Sequence, residues 1–326
     1  MASGTRQPWR TAWIAGSALC ALAVAQVAGA AANAVDPSRL ALYGLTSTPD
    51  ALVAVGERGS VLRSTDQGKS WSEASPVSDR TLTAVAFAGP KVGVAVGHGA
   101  TILRTTDGGA TWTRIAVPDA KGDSFLGVTA LHDGNFLVYG AFGLYMKSSD
   151  GGVTWTRAPL FDGDFDRHIS QIVEAGDKLL LVGESGTLAT SGDEGQTWTK
   201  LTSPYDGSLF GAVVLPDSAW LIYGMRGHVF RSTDQGQNWN AIELHTLSAI
   251  NAGSVTADGR VVLVGNNGAM FVSKDAGRSF TSDDVPQRLP IAQALFTQDG
   301  ALMYVGYLNS GRKSVAGTSN GNPGGS

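Results

Sequence analysis

Apolar residues fall along this chain in short runs, each stopped by a glycine or a small polar cluster. From about residue 40 onward the runs come in sets of four, and one set fills about 42 residues. The second set reads Leu82 to Phe87, Val92 to Val96, Thr101 to Thr105 and Thr111 to Ile115. Runs of that length, rich in β-branched residues and joined by glycine-bearing turns, predict β-hairpins. The inner runs, such as Val53-Ala54-Val55 and Val261-Val262-Leu263-Val264, are apolar without alternation, which predicts strands covered on both faces.

Two markers fix the period. A glycine closes an apolar run at Gly56, Gly97, Gly140, Gly183, Gly224, Gly265 and Gly306, with spacings of 41, 43, 43, 41, 41 and 41. Six boxes align without gaps: STDQGKSW (64 to 71), TTDGGATW (105 to 112), SSDGGVTW (148 to 155), SGDEGQTW (191 to 198), STDQGQNW (232 to 239) and SKDAGRSF (273 to 280). Four strands in each period of this length are one blade of a β-propeller, in which neighbouring blades bury each other's faces. The expected fold is therefore all-β, a seven-bladed β-propeller of four-stranded antiparallel blades with six boxes; six blades plus an appended hairpin is the alternative. Seven glycines stand against six boxes because the last unit has Ile291 to Phe296 and Leu302 to Tyr307 but no box. Either the stretch from Val35 supplies an outer strand at closure, or the seventh blade stays incomplete.

In each box the aspartate is placed to accept backbone N–H groups across the turn between the third and fourth strands, the glycine supplies a positive φ, and the aromatic ring packs between blades. The structural pairs are Asp66 and Trp71, Asp107 and Trp112, Asp150 and Trp155, Asp193 and Trp198, Asp234 and Trp239, and Asp275 and Phe280. Six equivalent copies around a ring argue against a catalytic aspartate or a calcium loop. Arg63, Arg104, Lys147 and Arg231 precede the box aspartate by three residues and are expected to stabilise the outer face, with Thr190 and Val272 breaking the series.

Composition narrows the function. The chain has 43 glycines in 326 residues, only 16% charged residues and a net charge of −4. A non-specific nucleic-acid binder is normally basic, so that role is excluded. The first 34 residues carry Arg6 and Arg10, an apolar run from Trp13 to Ala25, then Ala32-Asn33-Ala34. This is the layout of a secretory signal peptide cleaved after Ala34, with a membrane anchor as the alternative. The expected domains are a signal peptide at 1–34, a propeller at 35–313 and a flexible tail at 314–326. The single cysteine, Cys20, falls in the leader, so the mature chain is expected to hold no disulfide or cysteine–zinc site.

The boxes match the Asp-box, or bacterial neuraminidase, repeat, and the run V-G-x-x-G-x-x-x-R-S/T-x-D-x-G-x-x-W most closely resembles the photosystem II stability/assembly factor family. The resemblance spans about residues 36 to 306. It implies a seven-bladed exported propeller in a periplasmic or thylakoid-lumen-like compartment, with no cofactor, monomeric, acting as a scaffold for subunits of a membrane-protein or envelope complex. Sialidases share the box but carry an F/Y-R-I-P arginine before the first one. Here the nearest match, Gln287-Arg288-Leu289-Pro290, follows the last, and none of the six glutamates forms a recognisable pair with a tyrosine. A non-catalytic role is expected, with a sialidase-like hydrolase or a carbohydrate-binding propeller as alternatives.

In such a blade the fourth-to-first and second-to-third connections share the face opposite the boxes. Arg39, Arg80, Arg167 and Arg288 open first strands there, and Arg58 and Arg226 sit in second-to-third turns beside His98 and Glu184. These arginines read either as a partner-binding patch for carboxylates or as partners of neighbouring acids, as Asp79-Arg80 and Asp166-Arg167 suggest. The alternating aspartates of 161–168 read as a solvated or partner-contacting loop, because the glycine spacing and Val173 at the twelfth position depart from a calcium loop. The five histidines lie in different repeats without ligand spacing, so no metal site is expected.

Overall fold

The computed structural model describes Met1 and residues 34–161, 164–283, 285 and 287–314. Seven antiparallel sheets follow one another along the chain. Blade one is Leu42–Ser47, Leu52–Gly56, Val61–Ser64 and Ser72–Glu73. Blades two to six repeat this plan at 82–115, 125–157, 169–200, 209–242 and 250–282. Blade seven holds Ile291–Phe296, Ala301–Gly306 and Gly311–Ser314, three strands among the described residues. The seven-bladed reading holds, and 291–314 is a blade of the ring, packed against both blade six and blade one.

The core lies between the sheets. Leu52–Gly56, Phe136–Gly140, Trp220–Gly224 and Val261–Gly265 are buried at every position, as their unbroken apolar runs predict. Each box aromatic packs onto the preceding blade: Trp112 on Val53 and Val55, Trp155 on the cluster of Val94 and Val96, Trp198 on that of Leu137 and Tyr139, and Trp239 on that of Leu180 and Val182. Phe280 lies on the cluster of Leu221 and Tyr223, and Trp71 joins Met303 and Val305 of blade seven. Burying one such side chain stabilises by about 1.5–3 kcal/mol, and a lone blade would forfeit that on both faces.

The boxes bond as their spacing predicts. In blade one Asp66 Oδ1 accepts from the N–H of Lys69 (3.1 Å) and Ser70 (2.9 Å) and from Ser64 Oγ (2.8 Å), while Ser64 Oγ accepts from Gly68 N–H (2.8 Å). Hydrogen bonds from the side chain and backbone of the residue four places on hold Asp66, Asp150, Asp193 and Asp234 at about 2, below the usual carboxylate range. At Asp107 and Asp275 burial pulls the other way, but the hydrogen bonds outweigh it and the pKa is still lowered.

The arginine series is corrected by the structure. These side chains do not lie on an outer face; they clasp the next blade. Arg63 Nε donates to Gly108 O (3.0 Å), Arg104 Nε to Gly151 O (2.7 Å) and Arg231 Nε to Ala276 O (3.1 Å), each acceptor being the residue after a box aspartate. Lys147 makes no such bond. The blade three to four interface uses Tyr145 Oη to Gly195 O (2.9 Å) and His132 Nδ1 against Glu174 Oε1 (2.8 Å) instead.

Ring closure follows the same rule. Met303 pairs with Arg312 as Val53 pairs with Arg63, and Arg312 Nε donates to Gln67 O of box one (3.0 Å) while its guanidinium pairs with Asp299. Continuing that register lays KSVAGTSN at 313–320 over the box, with Val315 in place of the aspartate and Asn320 in place of the tryptophan. Val35 does not supply blade seven with a strand. Its N–H donates to Trp71 O (3.0 Å) and Ala34 bridges Ser72, at blade one. The signal segment at 2–33 and the tail at 315–326 lie outside the described residues.

The lowered box carboxylates contribute stability that is complete above their unfolded value near 3.8 and is lost as pH falls toward 2. Thermal unfolding followed by circular dichroism should therefore show a midpoint that drops steeply between those values, and Asp150→Ala should flatten that drop. Arg312→Ala should cost on the order of 2 kcal/mol in denaturant unfolding, because it removes the donor to the Gln67 carbonyl and the cation paired with Asp299 Oδ2. Lys147→Ala, which breaks no clasp, should cost well under half as much.

Candidate partner-binding face

The marker glycines create a ring of channel residues. Opposite each one the first strand carries a bulge: Leu42 pairs with Gly56 but Gly44 with Val55, and the shift recurs in all seven blades. A Cβ at Gly56 would stand 2.2 Å from Ala41 O, and one at Gly265 2.0 Å from Ala249 O. That close approach lets the next residue, Glu57 or Asn266, donate its N–H to the same carbonyl at 2.9 Å and 3.0 Å. The extra residue of each bulge turns into the channel, giving a ring of Tyr43, Thr83, Leu126, Ser170, Phe210, Asn251 and Ala292 around a cavity of about 270 Å³. Gln171 and Gln293 add amides, and no Asp, Glu, His, Lys or Arg is among the described lining residues. Burial raises the hydroxyl pKa of Tyr139 and Tyr223 behind this ring.

The second-to-third turns rise around the mouth on one backbone plan. Their apex residue is left-handed in every blade: Arg58, Gly99, Phe142, Ser185, Arg226, Asn267 and Leu308, with φ between 49° and 63°. The residue after the apex is usually glycine, also at positive φ, and a Cβ there would strike the fourth-to-first connection, 2.0 Å from Ser78 O at Gly59 and 2.4 Å from Thr246 O at Gly227. Hydrogen bonds join the two sets of connections: Ala100 N–H to Asp123 O, Gly143 N–H to Arg167 O and Gly186 N–H to Gly207 O, each at 2.9 Å. The result is a stitched platform whose apex side chains alone differ from blade to blade.

All six candidate arginines lie on this platform, but not in one state. Arg58, Arg226 and Arg288 have φ of 53°, 55° and 51°, are exposed and make no ion pair among the described residues. Arg39 stands 3.6 Å from Asp36 and Arg80 3.9 Å from Asp79, both exposed pairs that contribute little. Arg167 donates to Ser185 O (3.1 Å) and does not pair with Asp166. Glu184 is engaged by the His168 N–H (3.0 Å), while His98 stands exposed. In the segment 161–168, residues 162 and 163 lie outside the described set, and Asp164 and Asp166 are exposed. No group of three or more His, Cys, Asp or Glu among the described residues could hold a metal.

Sequence reading missed the apolar part of this face. Tyr43, Val77, Phe142, Met225, Leu247, Tyr307 and Leu308 are all exposed there. Periodicity could not flag those other than Tyr43, because they sit in turns outside the strand pattern. The glycine that follows the apex in five of the seven blades was the available signal.

Comparison with known proteins places this architecture. The family described as photosynthesis system II assembly factor YCF48 matches residues 76–163 and 123–280. Among solved structures, one titled "YCF48 bound to D1 peptide" is 20% identical with a TM-score of 0.70, covering 87% of this chain and 96% of its own. YCF48 from Cyanidioschyzon merolae is 18% identical with a TM-score of 0.69, covering 87% and 99%. An ancestral GH74 enzyme at 12% identity and TM-score 0.69 covers 87% of this chain but 46% of that one, a likeness of fold alone. No curated protein matches.

Gly227→Ala should destabilise by about 2 kcal/mol or more, since the new Cβ meets both a positive φ of 73° and the Thr246 carbonyl. Hydrogen exchange should show faster opening at 225–228 and 246, while the box turns stay protected.

Proposed function

The chain belongs to the photosynthesis system II assembly factor YCF48 family, and on that footing we propose that it is an exported, non-catalytic scaffold whose stitched face holds an extended, acidic segment of a membrane-protein subunit. The observation that carries this reading is the set of three exposed guanidiniums, Arg58, Arg226 and Arg288, held at left-handed positions and making no ion pair among the described residues. A guanidinium fork binds a carboxylate through two parallel hydrogen bonds, and a rigid backbone lowers the entropy lost when it does so. The peptide named with one solved relative supports a peptide ligand. The leader expected at 1–34 supports export, which would place the propeller where segments of membrane proteins emerge.

Hydrolase chemistry has no foothold in the channel. A glycosidase needs two carboxylates flanking the scissile bond, and the described lining residues offer amides, hydroxyls and aromatic rings. The charged groups of the face are arginines and scattered acids, a set suited to binding.

The test is affinity capture of the tagged protein from its native cell envelope, read by mass spectrometry, beside an Arg58→Ala/Arg226→Ala/Arg288→Ala variant. Wild type should recover one membrane complex and the variant should recover it with an affinity reduced more than about tenfold. Equal recovery by both would remove the arginines from the site, and recovery of nothing by either would discard the scaffold reading. Arg167→Ala should have a smaller effect, because that guanidinium is already tied to Ser185.

A further inference from the structure

We propose that the arc of this face running from blade five through blades six and seven to blade one docks directly on the anionic surface of a lipid bilayer. The proposal goes beyond the scaffold reading and does not require a bound peptide. Among the described residues eight large apolar side chains of the propeller are exposed, and seven lie on the stitched face or at its channel mouth. The eighth, Val153, is 49% exposed in the third box on the opposite side. Six of the seven belong to the arc: Met225, Leu247, Tyr307, Leu308, Val77 and, at the channel mouth, Tyr43.

Their positions are crests. Leu308 occupies a left-handed apex, Met225 and Tyr307 immediately precede apexes, and Leu247 is 85% exposed in the connection to blade six. Arginines alternate with them: Arg226 follows Met225, Arg288 and Arg39 flank blade seven, and Arg58 and Arg80 flank Val77. Apolar tips beside guanidiniums suit the headgroup boundary, where the tips enter the acyl edge and the cations meet phosphates. A groove for a protein chain would instead enclose such side chains.

Charge is divided across the face in the same sense. Among the described residues of the arc five exposed arginines face three exposed acids, Asp36, Asp79 and Glu243, while Asp283 is engaged by Lys313 at 2.8 Å. On the other side, exposed Asp119, Asp164, Asp166 and Asp206 stand among four exposed cations, Lys121, Arg157, Arg167 and Lys200, with Arg157 donating to Asp119 O and Lys200 lining one cavity with Asp164 and Asp166. An anionic surface therefore attracts the arc more than the balanced side, so the arc meets the bilayer first.

The test uses the full chain carrying Cys20→Ser, with either Leu247→Cys or Val153→Cys labelled with an environment-sensitive fluorophore. Protein-free vesicles are of phosphatidylcholine alone or mixed with phosphatidylglycerol. The label at 247 should blue-shift with the anionic vesicles and that at 153 should not. Met225→Ser/Leu308→Ser, and separately Arg226→Ala/Arg288→Ala, should each weaken partitioning by about fivefold or more. Equal shifts at both positions would mean attachment through the apolar N-terminal run and would overturn the proposal. So would absence of binding, equal binding to both lipid compositions, or partitioning unmoved by the crest variants. Capture of the membrane complex by a chain that fails on vesicles would leave the scaffold reading standing and remove this one.

Discussion

Everything in this ring depends on the contact each box makes with the blade before it. A four-stranded sheet of about 40 residues has two apolar faces and cannot bury either alone. The box answers that by carrying its aromatic ring onto the previous sheet, as Trp112 does on Val53 and Val55, while the previous blade returns an arginine to the box backbone, as Arg63 does to Gly108. The aspartate holds the turn that aims both groups. Packing and hydrogen bonding are thus coupled at one place in blades one, two, five and seven, while Trp198 and Trp239 pack on blades three and four without an arginine clasp.

Rigidity on the opposite face follows from that coupling. With the sheets fixed, the bulges opposite the marker glycines recur at one height, and the connections above them can be stitched by backbone bonds alone. Most apex side chains are left out of this network, Asn267 being an exception whose amide donates to Ser248 Oγ (3.1 Å). The apex can be Arg226, Phe142 or Asn267 without change of backbone, so recognition is separated from stability, as in other folds that carry function on loops over a fixed scaffold.

Much of the architecture was legible because its signals are local. The period, the boxes and the glycines each repeat within a few residues, and the strands of blade two fall within two residues of where the apolar runs put them. What was not legible depends on partners far along the chain. Arg63 reads as a surface residue until its acceptor is seen 45 positions away. Arg312 had no box beside it to mark it, because Val315 and Asn320 replace the two residues that define one. The arginines of the face were found from their offsets, but only the structure shows that Arg58, Arg226 and Arg288 make no ion pair among the described residues while Arg167 is tied to Ser185.

The closure between blades seven and one is the single join not made by a covalent connection, and Ala34 and the end of the last strand both lie beside it. A tension drawn between those two points loads that join first and leaves the other six in series behind it. The fold then behaves as a split washer: its resistance to being pulled apart is that of the bonds and packing across this one join, among them Arg312 to Gln67 O, Gln298 donating to Gln67 Oε1 and Pro49 O, Leu308 N–H to Leu40 O, and Trp71 on Met303, whatever the strength of the remaining circumference.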